Sequence, residues 1–316
     1  MSIQIERWDG TYRSACRLFD IAEISNPLFP KADRAHVLSM IAHRNHGFED
    51  SGFVACIDGQ IWGFAMIFKG TVDGTVKIVG AVHPDKRNLG LGTALLAQIH
   101  TQIKLHPEVH TLTTEAFESN PNAIHFIQKA GYTENDRLYW STRSIAEPFP
   151  AWAMQKYKAV NKDSIQFMQA SKYEKLRPDW DQAWHQVYSE ILSDIPSTIP
   201  INAPSFDEWR QKIEPPLMDR SQILMAIEGR EPVGSIWLGD QADNRININH
   251  TGVKKSHRRL GLSVALKIEA FALARQLGAH SVTTQNHHHN PMRQINQQLG
   301  FEVMDVFVSF AKPVNA

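Results

Sequence analysis

The sequence predicts an α/β fold made of two tandem copies of one domain. Three observations predict it. The chain has 316 residues, room for two domains of about 150 residues each. One pattern (strand, basic turn, glycine, amphipathic helix) occurs twice, at residues 76–92 and again from 246 through the glycine at 261. Landmarks also repeat in order. Gly59 and Gly229, Arg87 and Arg258, Asn120-Pro121 and Asn290-Pro291, and Gly131 and Gly300 lie 169 to 171 residues apart. A period as long as a domain marks a duplication rather than a solenoid. The expected boundaries are 1–147 for the first domain, 148–163 for a linker and 164–316 for the second domain.

Each element follows from local pattern. Ile3 and Ile5 alternate with polar residues as a strand does. Tyr12, Ala15, Cys16, Phe19 and Ala22 follow helical spacing, and Pro27 and Pro30 end that helix. A second helix is expected at 31–43. Residues 53–68 read as a hairpin, because Asp58-Gly59 between apolar runs fits a tight two-residue turn. A strand at Thr75–Val82 and a polar turn at 83–89 come next. The helix expected at 90–105 aligns Leu95, Ile99 and Ile103 on one face, and Pro107 closes it. A strand at Thr111–Phe117, a helix at 121–130 stopped by Gly131, and a strand at 137–143 complete the copy.

Residues 146–163, with Pro148 and Pro150, read as a linker with a short helix around 152–160. The pattern then restarts. Ile165 and Phe167 begin a strand, and Trp180, Trp184, Val187, Tyr188 and Ile191 line a helix whose aromatic stripe is expected in the core. The proline-rich stretch 193–216 is expected to loop over a site. A hairpin at 222–238 turns at Gly229-Arg230. A strand at 246–253, a helix at 262–277 stopped by Gly278, a strand at 281–285, a helix at 291–299 stopped by Gly300, and a strand at 301–310 follow.

Composition excludes several classes. Lys plus Arg equals Asp plus Glu, 33 against 33, so no global charge argues for a nucleic-acid partner. Cys16 and Cys56, the two cysteines, make no disulfide framework and read as small core residues. The N-terminus lacks the basic-then-apolar pattern of a signal peptide, and no apolar run reaches the ~18 residues of a membrane helix. No membrane partner and a cytoplasmic location are expected. His287-His288-His289 invites a metal reading. Three consecutive residues do not readily aim three rings at one ion, so a polar loop and no metal are expected.

The repeated turn carries the chemistry. Successive backbone N–H groups running into a helix start form an anion site, and the helix dipole adds about half a positive charge. Lys86 and Arg87, or Arg258 and Arg259, add charge beside it. A P-loop needs a Gly-Lys-Ser/Thr ending, and Gly92-Thr93 lacks the lysine. A dinucleotide fingerprint needs a third glycine, where Leu95 stands; the second copy has Gly261 alone, with Ser263 and Leu266 at the other positions.

What the residues match is Arg87-x-x-Gly90-x-Gly92, preceded by Val82-His83-Pro84. This resembles the coenzyme A signature of the GNAT N-acetyltransferase superfamily. Val253 followed by Arg258-Arg259-Leu260-Gly261-Leu262-Ser263 is similar. Downstream, Asn120 with Ala130-Gly131-Tyr132 and Asn290 with Leu299-Gly300-Phe301 resemble the family's later helix. The two-copy layout resembles tandem GNAT proteins, among them mycothiol synthase-like ones, over nearly the whole chain.

The resemblance implies a mixed, twisted sheet in each copy whose two central strands splay apart to admit coenzyme A. It implies acetyl-CoA as co-substrate, no metal, and direct transfer to a small-molecule amine or a peptide amino group, with backbone N–H groups holding the oxyanion. The expected assembly is a monomer or homodimer. The matching cofactor positions are Val82, Arg87, Gly90, Gly92, Thr93 and Asn120 in the first copy. In the second they are Val253, Arg258, Arg259, Gly261, Ser263 and Asn290.

Side-chain alternation predicts that Val253 shares a face with Thr251, Asn249 and Asn247, where Val82 shares one with Gly80, Ile78 and Val76. Amides against aliphatics favour the C-terminal copy as the catalytic one. The family often has a tyrosine four residues before the later glycine, as the acid for the thiolate; here those positions hold Ile127 and Asn296. For a base the sequence offers His250, His257, Asp194 and Glu228, each more often a surface or satisfied polar group than a catalyst. Glu115 of the first copy corresponds to Gln285. Asn249, His250 and Asn296 are therefore the candidate catalytic residues. The alternative is a non-catalytic acyl-CoA-binding sensor or scaffold.

Overall fold

The structure, a computed structural model, describes residues 2–25, 52–70, 73–160, 164–194, 203–213, 218–242 and 244–314. The helix expected at 31–43 lies outside them. By internal contacts the chain forms two compact units: Met1–Ala116 with Asn120–Asn135 and Ser309–Ala316, and Phe117–Ser119 with Asp136–Val308. These are not the contiguous halves 1–147 and 164–316, and the reason is an exchange of ends. Strand β6 (Thr133–Ser144) places Asp136–Ser144 in the second unit, antiparallel to β11 (Ser281–His287). The last residues of β12 (Glu302–Pro313) belong to the first unit, where the Val314 amide donates to His110 O and Lys312 Nζ to Ala130 O.

In the first unit, β1 (Ile3–Arg7), β2 (Gly52–Ile57), β3 (Gln60–Lys69) and β4 (Thr75–Val82) pair antiparallel in sequence order, and β5 (Thr111–Phe117) joins β4 in parallel. The hairpin turns at Asp58-Gly59 as its sequence predicts, with both residues at positive φ, 51° and 73°. Helix α1 (Tyr12–Ser25) buries Ala15, Leu18 and Ile21 against Val54, Phe64 and Met66. Helix α2 (Leu91–Ile103) buries Leu91, Leu95, Ile99 and Ile103, the four-residue row legible in the sequence. Helix α3 (Pro121–Lys129) follows β5.

The second unit repeats the plan. β7 (Ile165–Gln169), β8 (Ile223–Glu228), β9 (Glu231–Ala242) and β10 (Arg245–Val253) pair antiparallel in order, and β11 joins β10 in parallel. The region read as a linker carries helix α4 (Ala151–Ala159), whose Ala153 is fully buried with Val160 in the second core. Arg143 fastens its approach, donating to the carbonyls of Glu147 and Pro148 and stacking over Phe149. The short α5 (Ala170–Tyr173) and α6 (Trp180–Leu192) follow. The aromatic stripe of α6 is core: Trp184 stacks on Trp180 and its Nε1 donates to Ser235 Oγ at 3.0 Å.

Residues 193–216 are not all loop. Helix α7 (Phe206–Ile213) stands there and buries Trp209 and Ile213 against Trp184. Ser205 and Glu208 cap it reciprocally. That is a Ser-x-x-Glu capping box, a signal present in the sequence. Helices α8 (Leu262–Gln276) and α9 (Pro291–Gln298) complete the unit.

Candidate functional site

Both turns are built alike. Pro84–Lys86 and Lys255–His257 each form one 3₁₀ turn after the strand. Arg87 and Arg258 are then extended, and each tethers its Nε to the last carbonyl of its strand, Val82 O at 3.3 Å and Val253 O at 3.2 Å. Next comes a non-glycine residue in the left-handed region, Asn88 at φ 61° or Arg259 at φ 64°. Gly90 (φ 91°) and Gly261 (φ 82°) occupy the N-caps of α2 and α8. A side chain at that φ would be strained, so glycine is the residue that fits. Neither helix start has a side-chain cap. Among the described residues no protein acceptor takes the amides of Gly90, Leu91 and Gly92, or of Gly261, Leu262 and Ser263. Unpaired amides at a helix start beside a tethered guanidinium suit a diphosphate.

Each turn closes one end of a gap. β4 and β5 pair only from Thr75–Thr111 to Lys77–Thr113, and β10 and β11 only from Arg245–Ser281 to Ile248–Thr284. Beyond those pairs β4 runs on to Val82 and β10 to Val253. The splay expected of the two central strands is present in both units, and it leaves strand-edge backbone groups able to take an extended ligand.

The alternation expected along β10 is corrected by the structure. The register slips between Ile248, opposite Leu238, and His250, opposite Trp237, so Asn249 is an extra, bulged residue. Ile246, Ile248 and Val253 pack in one core with α8. The His250 ring lies 4.8 Å from that of Tyr188 on α6, and a Cβ on Gly252 would strike Ile191 of the same helix. Val253 therefore shares its face with Ile248 and Ile246, not with Asn249 and Asn247. The amide pair stays together, Asn247 Nδ2 donating to Asn249 Oδ1 at 2.5 Å. β4 has no such slip against β3.

Asn120 and Asn290 are N-caps of α3 and α9, their side chains accepting from Ala123 N and Met292 N, with proline at the next position. Thr93 and Ser263 lie in the first turns of α2 and α8. Asn296 is 2 % exposed on α9; it donates Nδ2 to Asn286 Oδ1 at 2.5 Å, and its own Oδ1 has no partner. His250 is 8 % exposed with Nε2 unpartnered, and burial pushes its pKa down to about 4. Thr251 Oγ1 is also buried without a partner. His250 and Thr251, on the stretch of β10 that does not pair with β11, and Asn296 on α9 thus each hold a buried polar atom without a protein partner. Buried polar groups are ordinarily satisfied, so each of these atoms is an unusual feature of the second unit. At the matching positions the first unit has Val79, Gly80 and the buried Ile127.

Of the remaining base candidates, His257 Nε2 and Glu228 Oε2 pair with each other at 3.1 Å. Asp194 binds Lys255 Nζ at 2.7 Å and Arg258 Nη2 at 2.6 Å. Hydrogen bonds from these two cations hold its carboxyl below the usual range, which makes it a poor base at neutral pH. The histidine loop is partnered by protein groups: His287 Nδ1 meets Asp136 Oδ2 at 2.6 Å and His288 Nδ1 meets Tyr139 Oη at 3.1 Å. Among the described residues no group of acids, histidines and cysteines is placed to hold a metal, and no helix is long and apolar enough to cross a membrane. Sequence reasoning missed Tyr188 as the neighbour of His250, and Glu190, which accepts the Lys255 amide at 2.7 Å.

Comparison with known proteins gives a family. The acetyltransferase (GNAT) family model matches residues 18–132 and 179–301. Among solved structures, a tandem GNAT protein from the clavulanic acid biosynthesis pathway aligns over 99 % of both chains, with 17 % identity and a TM-score of 0.73. A GCN5-related N-acetyltransferase from Sphaerobacter thermophilus aligns over 99 % of this chain and 96 % of its own, with 18 % identity and a TM-score of 0.71. At these identities the structures show a shared fold. No curated protein matches the chain.

Proposed function

The chain belongs to the acetyltransferase (GNAT) family, and from that premise we propose that it transfers an acetyl group from acetyl-CoA directly to a primary amine of a small molecule or to an exposed amino group. The observation that carries this reading is the repeated coupling of a strand gap to an uncapped, glycine-started helix with a tethered arginine. The amides of Gly261, Leu262 and Ser263 with Arg258 and Arg259 would hold the diphosphate, and the free edge of β10 near Val253 the extended arm. The thioester supplies the acyl group, and unpaired N–H groups in the gap would hold the developing oxyanion.

We place the chemistry in the C-terminal copy, supported by the unpartnered buried atoms of His250 and Thr251 on β10 and of Asn296 on α9. A histidine held near pKa 4 is uncharged at neutral pH. It would orient the amine by hydrogen bonding, the proton leaving to water. The N-terminal turn would serve as a second or structural site. Calorimetry with acetyl-CoA, followed by thiol release across an amine panel, tests the proposal. Absence of binding up to millimolar cofactor would remove it.

A second reading, an acyl-CoA-binding sensor or scaffold, is favoured by one observation: Asp194, Glu228 and His257 each have a protein partner, so none of these three is free to act as a base. Tight cofactor binding without turnover for any acceptor would select it.

A further inference from the structure

Two acids one helical turn apart, Glu190 in α6 and Asp194 just past its end, reach across to the C-terminal basic turn. Glu190 Oε1 accepts the Lys255 backbone amide at 2.7 Å. Asp194 splits its carboxylate between two cations, Oδ1 on Lys255 Nζ at 2.7 Å and Oδ2 on Arg258 Nη2 at 2.6 Å. Arg258 is already held at Nε by Val253 O, so Asp194 takes one of the guanidinium's remaining donors. The N-terminal turn differs. Arg87 keeps the same tether to Val82 O, and no carboxylate among the described residues pairs with it. The charges of Lys255 and Arg258 are therefore answered from inside the protein, while the amides of Gly261, Leu262 and Ser263 are not.

We propose that Asp194 is a built-in competitor for the anion of the C-terminal turn, displaced only by a ligand that brings several negative charges and also uses the helix-start amides. This rests on reading the turn as a diphosphate site and adds who guards it and what it selects. A carboxylate and a phosphate oxygen seek the same guanidinium and ammonium donors, so one must leave for the other to bind. A small single anion gains little by replacing a carboxylate already held by two cations. A diphosphate gains the amides and the helix dipole as well. When Asp194 lets go, the C-terminal end of α6 loses one of its two ties to the turn, which couples cofactor entry to the last turn of α6.

The test is titration of coenzyme A, pantetheine and inorganic phosphate into a chain carrying Arg87→Glu, which silences the first turn, with and without Asp194→Asn. Asp194→Asn is isosteric, and the Asp194 side chain is part-exposed. The expected result is coenzyme A affinity raised roughly threefold to tenfold, as loss of two part-exposed ion pairs implies. Pantetheine, which has no phosphate, should be unchanged, and inorganic phosphate should become able to bind. In the chain that keeps Asp194, coenzyme A should speed amide exchange in the last turn of α6. In Asp194→Asn that turn should exchange fast already. Coenzyme A binding that is unchanged or weakened by Asp194→Asn overturns the gate. If coenzyme A binds neither protein, both folded by circular dichroism, the diphosphate reading of the turn fails instead.

Discussion

Lys267, on α8, is 1 % exposed and has no carboxylate partner among the described residues; its Nζ lies 5.8 Å over the Phe301 ring. Burial pushes its pKa down to about 7. Between pH 7 and its ordinary value the unfolded chain keeps a proton that the folded chain has released. Stability from this group therefore rises with pH through that window and is absent below it. Lys267→Met should stabilise the protein by about 2 kcal/mol at pH 7 and flatten the alkaline part of the profile, as urea unfolding at several pH values would show. His250 acts in the acid range. From about pH 6.5 down to about 4 the unfolded chain takes up a proton that the folded chain refuses, so stability falls as pH drops. At the turns, Arg258→Glu should weaken acetyl-CoA binding more than Arg87→Glu, by about tenfold or more for a reversed charge beside a diphosphate. The opposite order, read by calorimetry, would move the activity to the first copy. These residues differ in legibility. The arginines announced themselves by spacing, whereas neither the burial of Lys267 nor the isolation of His250 leaves a mark in a linear pattern.

Element lengths and types were mostly legible, because helical and strand periods are local properties. The bulge at Asn249 was not. A strand's pattern gives alternation but not the partner's register, and one extra residue reverses which side chains share a face. Deleting Asn249 would remove the slip between Ile248 and His250, so that this end of β10 pairs with β9 as β4 pairs with β3. The deletion variant should stay folded, since Ile246, Ile248 and Val253 keep their core face. It should lose acetyl transfer, since the Asn247–Asn249 contact and the placement of His250 go with the bulge. An unchanged turnover rate in the amine assay would count against the C-terminal assignment. Helix α7 shows the opposite case. Its Ser205–Glu208 box is legible in the sequence, and the prolines around it do not prevent the cap from starting a helix.

At the scale of the molecule, the repeat is plain in the sequence and the exchange of ends is not. The first unit includes Ser309–Ala316, and the second includes Asp136–Ser144 of β6. A cut at 147 therefore removes the residues that hydrogen-bond to His110 and Ala130 in the first unit, and a fragment starting at 164 lacks the neighbour of β11. Fragments 1–147 and 164–316 should each fail to unfold cooperatively in denaturant when made alone, while the full chain unfolds cooperatively. Co-expressed as 1–163 and 164–316, they should recover structure together. A cooperative 1–147 fragment, seen by circular dichroism and chemical-shift dispersion, would contradict this.

The sequence by itself determined the α/β class, the duplication, the two hairpins and the glycine turns, and through those turns the family. Each rests on residues close together in the chain: Asp58-Gly59 at a tight turn, Gly90 and Gly261 at positive φ, Leu95 and Ile99 at one helical step. Tertiary structure alone decided which strand completes which unit, where β10 bulges, and that Asp194 pairs with Arg258. The physical reason is one of range. Backbone conformation follows neighbouring residues, whereas register, burial and ion pairing depend on groups that folding brings together from far apart in the chain.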